Sequence, residues 1–198
     1  MVITKLNVTY NVNDAADYFN QIATEKYDHL KWSMLEDKNS DSTILNVYGW
    51  AIQYPKDFIG LSYGLYSTYE LGIENYQDSE IAFGFAKKVL DTFPLAFRAT
   101  MYVNPPGTHF LPHIDSTHAF RIHIPILSNP NAIWITKDGT TNMIPGNAYL
   151  LDSSNTHETM NNGITDRVHI ELEMRRNDVH TISKYLSDQS LESCEILL

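Results

Sequence analysis

Residues 109–127, HFLPHIDSTHAFRIHIPIL, contain two strand-like runs whose side chains sort by chemistry along the chain. In the second run Arg121 and His123 alternate with Ile122, Ile124 and Ile126. Successive side chains of an extended strand leave opposite faces, so one face carries cationic and imidazole groups and the other carries aliphatics. In the first run His113 and Asp115 stand two apart, so both leave one face and converge while Ile114 turns away. The later run DRVHIELEM, residues 166–174, repeats the pattern: Arg167, His169 and Glu171 oppose Val168, Ile170, Leu172 and Met174. The aliphatic faces suit packing against helices or a second sheet. The polar faces either meet water or line a pocket, and alternation alone leaves both open.

Outward from these runs, turn signals recur at close intervals: NPPG at 104–107, SNPN at 128–131, KDG at 137–139, IPG at 144–146 and MNNG at 160–163. Strands are predicted at 97–103, 109–115, 119–127, 132–136, 147–152, 156–160 and 166–174. Many short strands with frequent turns make a mainly β sandwich or barrel with flanking helices.

The N-terminal part, 1–95, reads as mixed. A helix is predicted over 14–34 from the stripe Ala15, Phe19, Ile22 and Leu30, with Asn13 as cap. A second is predicted over 79–92 from Ile81, Phe85, Val89 and Leu90, with Asp78 at its start. ILNVYGWAIQY, 44–54, reads as a strand, and SYGLYSTYELG, 62–72, is tyrosine-rich without a clear period. Tyr63, Tyr66, Tyr69 and Tyr76 suit loop packing or a lid. The segment 176–198 is a tail that forms a helix on the barrel or on a partner. With no linker-like or repetitive stretch, 198 residues make one domain.

A formal net charge of −10 argues against partners held through phosphate backbones or anionic membrane surfaces, which need clustered Lys and Arg. No nucleic acid and no membrane are expected. The single cysteine, Cys194, excludes an internal disulfide and a thiolate cluster, so a metal in this chain takes nitrogen and oxygen ligands. No secretory leader or membrane span is visible, and a soluble cytoplasmic protein of microbial or viral type is expected.

His157 follows the turn-like LDSSNT and is expected to come back across the barrel to His113 and Asp115. Two histidines and a carboxylate on one side of a metal leave positions open and suit iron(II). Unrelated strand histidines are the alternative. Arg167 lies ten residues further on, at the start of a strand expected to lie beside His157. Its planar fork suits bidentate binding of a carboxylate at the pocket floor; a surface arginine paired with Asp166 or Glu171 is the alternative.

PPGTHFLPHIDSTHAFRIHIPI followed by MIPGNAYLLDSSNTHETMNNGITDRVHIELE resembles the double-stranded β-helix core of the aspartyl/asparaginyl β-hydroxylase-like 2-oxoglutarate oxygenases, and also the bacterial proline hydroxylases. The resemblance spans residues 97–174. It implies a jelly-roll, cupin-like core over 96–175. It implies His113 and His157 as iron(II) ligands, Arg167 as the partner of the distal 2-oxoglutarate carboxylate, and Arg121 and His123 as supporting contacts. Some relatives lack a carboxylate ligand; Asp115 completes the set here and moves the match toward hydroxylases of free amino acids. The implied activity is O2-dependent hydroxylation of an aliphatic C–H in an amino acid, or in a residue of a peptide or protein.

Tyr102 precedes the first ligand strand and reaches the cosubstrate or packs in the core. His109, His118 and His169 are expected to be strand or rim histidines, and Trp134 a packing residue. Two rivals stand beside the oxygenase: a cupin-type zinc or manganese enzyme, and a non-catalytic module that kept the fold.

Overall fold

The computed structural model describes residues 2–24, 27–34, 47–56, 72–115 and 117–186. The N-terminal part contributes β1 (Ile3–Thr9), α1 (Val12–Thr24), β2 (Lys31–Met34), β3 (Val47–Ala51), β4 (Gln53–Pro55), β5 (Tyr76–Asp78) and α2 (Gly84–Thr92). Both helices are shorter than their apolar stripes predict. In α1 Ala15, Tyr18 and Ile22 are buried, but Leu30 belongs to a short 3-10 turn at Asp28–Leu30. The chain then enters β2, where Trp32 pairs opposite Gly49. The cap is Asn11, whose side-chain oxygen accepts from the N–H groups of Asn13 and Asp14, and not Asn13. Ile81 is buried yet lies outside α2. Ser79 explains the late start, because its N–H donates to Ile52 O and its hydroxyl to Ala51 O, tying residue 79 to the strands. Asp78 sits in β5 and accepts from Gln53 Nε2. Of the expected strand over 44–54, residues 44–46 lie outside the described residues and the rest is two strands broken at Ile52; β1 was not anticipated. Residues 57–71, including Tyr63, Tyr66 and Tyr69, lie outside the described residues.

From Phe97 the strands are divided between two antiparallel sheets: β6 (Phe97–Asn104), β7 (His109–His113), β8 (Ala119–Leu127), β9 (Ala132–Thr136), β10 (Gly139–Thr141), β11 (Asn147–Leu151), β12 (His157–Asn161) and β13 (Arg167–Arg175). One sheet runs β1-β11-β8-β13-β6-β3-β2 and the other β10-β9-β12-β7. This is the jelly roll that short strands and frequent turns point to, with β10 added just after the KDG turn. Side chains from the two sheets meet in the gap between them, as His123 and Trp134 do at 4.7 Å between ring centroids.

The outer face of the larger sheet carries the main core. Ile122, Ile124, Ile126, Val168, Ile170 and Leu172 pack in one cluster with apolar residues of α1 and α2. Tyr18 pins α1 to the loop before α2 by donating to Ile81 O. The described part of the tail forms a 3-10 helix at Arg176–Tyr185 whose Val179 and Ile182 join the same cluster, and residues 187–198 lie outside the described residues. A Cβ at Gly49 would lie 1.9 Å from Met101 O and 2.7 Å from the Trp32 ring; the glycine leaves the room in which Trp32 packs edge-on against Tyr102. Among the described residues no helix is long and apolar enough to cross a membrane.

Candidate metal and cosubstrate site

β12 pairs with β7 so that His157 stands opposite His113 in the ladder. The two histidines are therefore neighbours in one sheet, and His157 does not return across the barrel as expected. Asp115 lies just past β7, where its N–H donates to Ser153 O. His157 Nε2 is 3.1 Å and His113 Nε2 3.8 Å from Asp115 Oδ2. One ligand atom from each of the three lies within 4.8 Å of the others.

The ring orientations carry information. His113 Nδ1 faces Leu111 O at 2.7 Å and His157 Nδ1 faces Asn155 O at 3.0 Å. A carbonyl only accepts, so both Nδ1 atoms are protonated donors, and both Nε2 atoms are turned toward Asp115 as the ligating positions. Without a cation a proton on His157 Nε2 bridges to Asp115 Oδ2 at 3.1 Å, and a metal would take that proton's place. Burial alone would raise the Asp115 carboxyl, but His157, Arg121 and His113 outweigh it and hold it below its ordinary range. The donor set fits a divalent metal with open positions.

Deeper in, Arg167 is 4% exposed. Its Nη1 donates to Thr159 Oγ1 and its Nε has no partner. The strand that begins at Arg167 is not beside β12: β13 pairs with β8 and β6, and Arg167 reaches Thr159 across the gap between the sheets. Nor is it a surface arginine paired with Asp166 or Glu171. Burial brings the guanidinium down to about 10, the behaviour of a cation whose bonding partner is a neutral hydroxyl. Trp134 lies 5.4 Å from this guanidinium, stacks on His157 and meets His123 edge-on. It packs as expected, and its ring touches both His157 and the arginine, so it flanks the space from the metal point to Arg167.

Polar faces of β8, β13 and β6 complete the interior. His123 and His169 are 2% and 3% exposed, with ring nitrogens lacking partners. Both are held well below the ordinary imidazole range, by burial first and then by neighbouring cations. These faces are buried between the sheets and do not meet water. Arg121 Nη1 is 2.9 Å from Asp115 Oδ2 and 3.5 Å from Glu171 Oε1, and Arg98 Nη1 is 2.6 Å from Glu173 Oε1. Tyr102 opens toward this charged group, and burial, then Glu171, raises its hydroxyl. At the rim His109 pairs with Glu158 at 2.6 Å, and His118 is exposed.

Sequence reading missed three groups. Thr159 shares a face with His157, so strict period two along 157–161 reveals it. Arg98 and Glu173 continue the polar faces of their strands by one more residue. The third, Asp152 with Arg176, has no local signal. Asp152 accepts from Ser154, Asn155 and Arg176, while Arg176 also donates to Ser154 Oγ and Thr117 O. This brace joins the loops that deliver Asp115 and His157.

The family model described as Aspartyl/Asparaginyl beta-hydroxylase matches residues 13–177. The chain belongs to that family. Solved structures share the fold of this family member over most of its length. A Pseudomonas putida prolyl-4-hydroxylase is 10% identical, with 88% of this chain and 92% of that chain covered at a TM-score of 0.56. A Trichoplax adhaerens prolyl hydroxylase, solved with a hypoxia inducible factor peptide fragment, is 13% identical, with 92% and 87% covered at 0.56. A 2OG-Fe(II) oxygenase family oxidoreductase from Burkholderia pseudomallei is 8% identical, with 83% and 90% covered at 0.51. No curated protein matches the sequence.

Proposed function

We propose that this chain is an iron(II)- and 2-oxoglutarate-dependent dioxygenase that hydroxylates an aliphatic C–H of an amino acid or of an amino-acid residue. The overall reaction consumes one O2 and one 2-oxoglutarate and yields succinate, carbon dioxide and the hydroxylated product. His113, Asp115 and His157 hold the iron. The iron supplies the O2 chemistry.

The carrying observation is the pairing of this triad with a buried arginine that lacks a carboxylate partner. Arg167 Nε is unsatisfied and points the reading to an anion at the pocket floor. A dicarboxylate cosubstrate that reaches the triad with one end and Arg167 with the other answers both features. A zinc or manganese cupin needs no such clamp. Arg121 steadies Asp115 through the 2.9 Å contact. His123, neutral and unpartnered, faces the cosubstrate together with His169, and Tyr102 closes the interior on the β6 side. Trp134 keeps water from the space between triad and arginine.

The experiment is anaerobic addition of iron(II), then 2-oxoglutarate, to the metal-free protein. The weak visible absorption band of the iron(II)–2-oxoglutarate chelate is expected. Bound metal without a band would move the assignment to a zinc or manganese cupin, and no metal binding would favour the non-catalytic module.

A further inference from the structure

A hydrogen bond ties the sheet that carries the two histidine ligands to the arginine of the other sheet: Arg167 Nη1 donates to Thr159 Oγ1. Thr159 is two residues past His157 on β12, so both side chains leave the same face, ~7 Å apart along the strand. Thr159 is 5% exposed and stands opposite Trp134 in the ladder with β9. The Trp134 ring lies 5.4 Å from the Arg167 guanidinium, so indole and hydroxyl both restrain the cation.

The chemistry of the hydroxyl suits that task. An arginine side chain has many rotamers, and a guanidinium without a fixed contact spreads over them. A carboxylate partner would fix the group but also neutralise it. A hydroxyl fixes it and leaves its charge unanswered, and Arg167 Nε has no partner. Loss of the hydroxyl would leave the Glu171 carboxylate, on the arginine's own strand, as the charge that draws the cation. The strand itself does not require a hydroxyl, because β-branched valine fits a strand as well as threonine does. β12 thus carries two fixed points at a set interval, the ligand His157 and the group that locates the cation.

We propose that Thr159 is a positioning residue: its hydroxyl holds the Arg167 guanidinium at a set distance from the triad and so selects the length of the diacid that bridges the two. Thr159 acts through Arg167 and touches neither the metal nor the reacting atoms. The inference rests on the oxygenase reading and adds what makes its cosubstrate site selective for length.

The test is isothermal titration calorimetry on manganese(II)-loaded protein. The probes are 2-oxoglutarate, its homologue one carbon shorter (oxaloacetate) and its homologue one carbon longer (2-oxoadipate). In wild type 2-oxoglutarate should bind most tightly. Thr159→Val keeps the branched shape without the hydroxyl. It should weaken 2-oxoglutarate by ~10-fold or more, the effect of one hydrogen bond to a charged group, and narrow its margin over both homologues. Thr159→Ala, the second variant without a hydroxyl, should do the same, and Thr159→Ser should restore affinity and margin together. Manganese bound per folded molecule should stay constant, and variants are scored only if their circular dichroism matches wild type. Wild-type binding in Thr159→Val, an equal loss for all three diacids, or no rescue by Thr159→Ser overturns the proposal even when the iron chelate band forms. The expected pattern without a chelate band in the wild type overturns the oxygenase reading and leaves the role of Thr159 standing. No binding of any diacid to the wild type overturns both.

Discussion

On β8 and β13 the outer and inner faces are buried to nearly the same depth and have opposite chemistry. Ile170 and Leu172 are fully buried on the outer side, and His169 and Glu173, at 3% and 2% exposure, are almost as deep on the inner side. Outside, each side chain finds apolar neighbours in one continuous cluster. Inside, nitrogens and oxygens of His123, Arg167, His169 and Glu173 lack partners. Burial on the outer face stabilises the fold; burial of unpartnered polar atoms on the inner face costs stability. The two faces should therefore respond to substitution in different observables.

The largest effect is expected on the inner face. His157→Ala removes one of two imidazoles whose Nε2 atoms are turned toward Asp115, and iron binding and turnover should be abolished while the chain still folds. Metal content after iron(II) loading, with circular dichroism alongside, checks this. Full activity in the variant would refute the ligand assignment.

Ile170→Ala, one residue from His169 but on the other face, should do the converse. It opens a cavity in the main cluster and should cost about 2–5 kcal/mol, read as a lower denaturation midpoint. Iron bound per folded molecule should not change. Loss of metal binding without loss of stability would show that the two faces are not separable.

Arg167→Ala should leave the triad able to take metal while raising the 2-oxoglutarate requirement. A hydrogen bond to a charged group contributes ~1.5–3 kcal/mol, so apparent affinity should fall by ~10- to 100-fold. Arg167→Lys should lie between, because an ammonium restores the charge without the planar fork. Titration of the chelate band measures both. Unchanged affinity in Arg167→Ala would place the distal carboxylate elsewhere.

The same contrast explains what was legible in the sequence. Period-two alternation is local, so the strands from 97 to 175 and their two chemistries were visible, and His113, Asp115, Arg121, His123 and Arg167 came with them. Long-range pairing was not visible. No local rule puts β12 beside β7, so His157 was expected across the barrel, and β13 was expected beside β12 when it lies in the opposite sheet. The first helix was overextended because Leu30 fits the helical stripe, whereas pairing of Trp32 with Gly49 pulls the chain into a strand. Hydrophobic spacing does not report that competition.

The Asp152–Arg176 brace is the part of the site with no sequence signal, and it gives the smallest predicted effect. Burial alone would raise the Asp152 carboxyl; hydrogen bonds from Ser154 and Arg176 outweigh it and hold it below its ordinary range. A carboxyl that is more acidic in the fold than in the unfolded chain stabilises the fold above its unfolded value. That contribution is lost as the pH falls through its folded value. The stability gap between wild type and Asp152→Asn should therefore be on the order of 1 kcal/mol at neutral pH and shrink on acidification below the ordinary carboxylate range. Denaturant midpoints of both proteins across that interval measure it. Because Arg176 also holds Thr117 O and Ser154, the variant should loosen both loops that deliver Asp115 and His157. A small stability loss should thus come with weaker iron binding, whereas Ile170→Ala shows a large stability loss with none. A gap that stays constant with pH would mean that Asp152 acts only by shape.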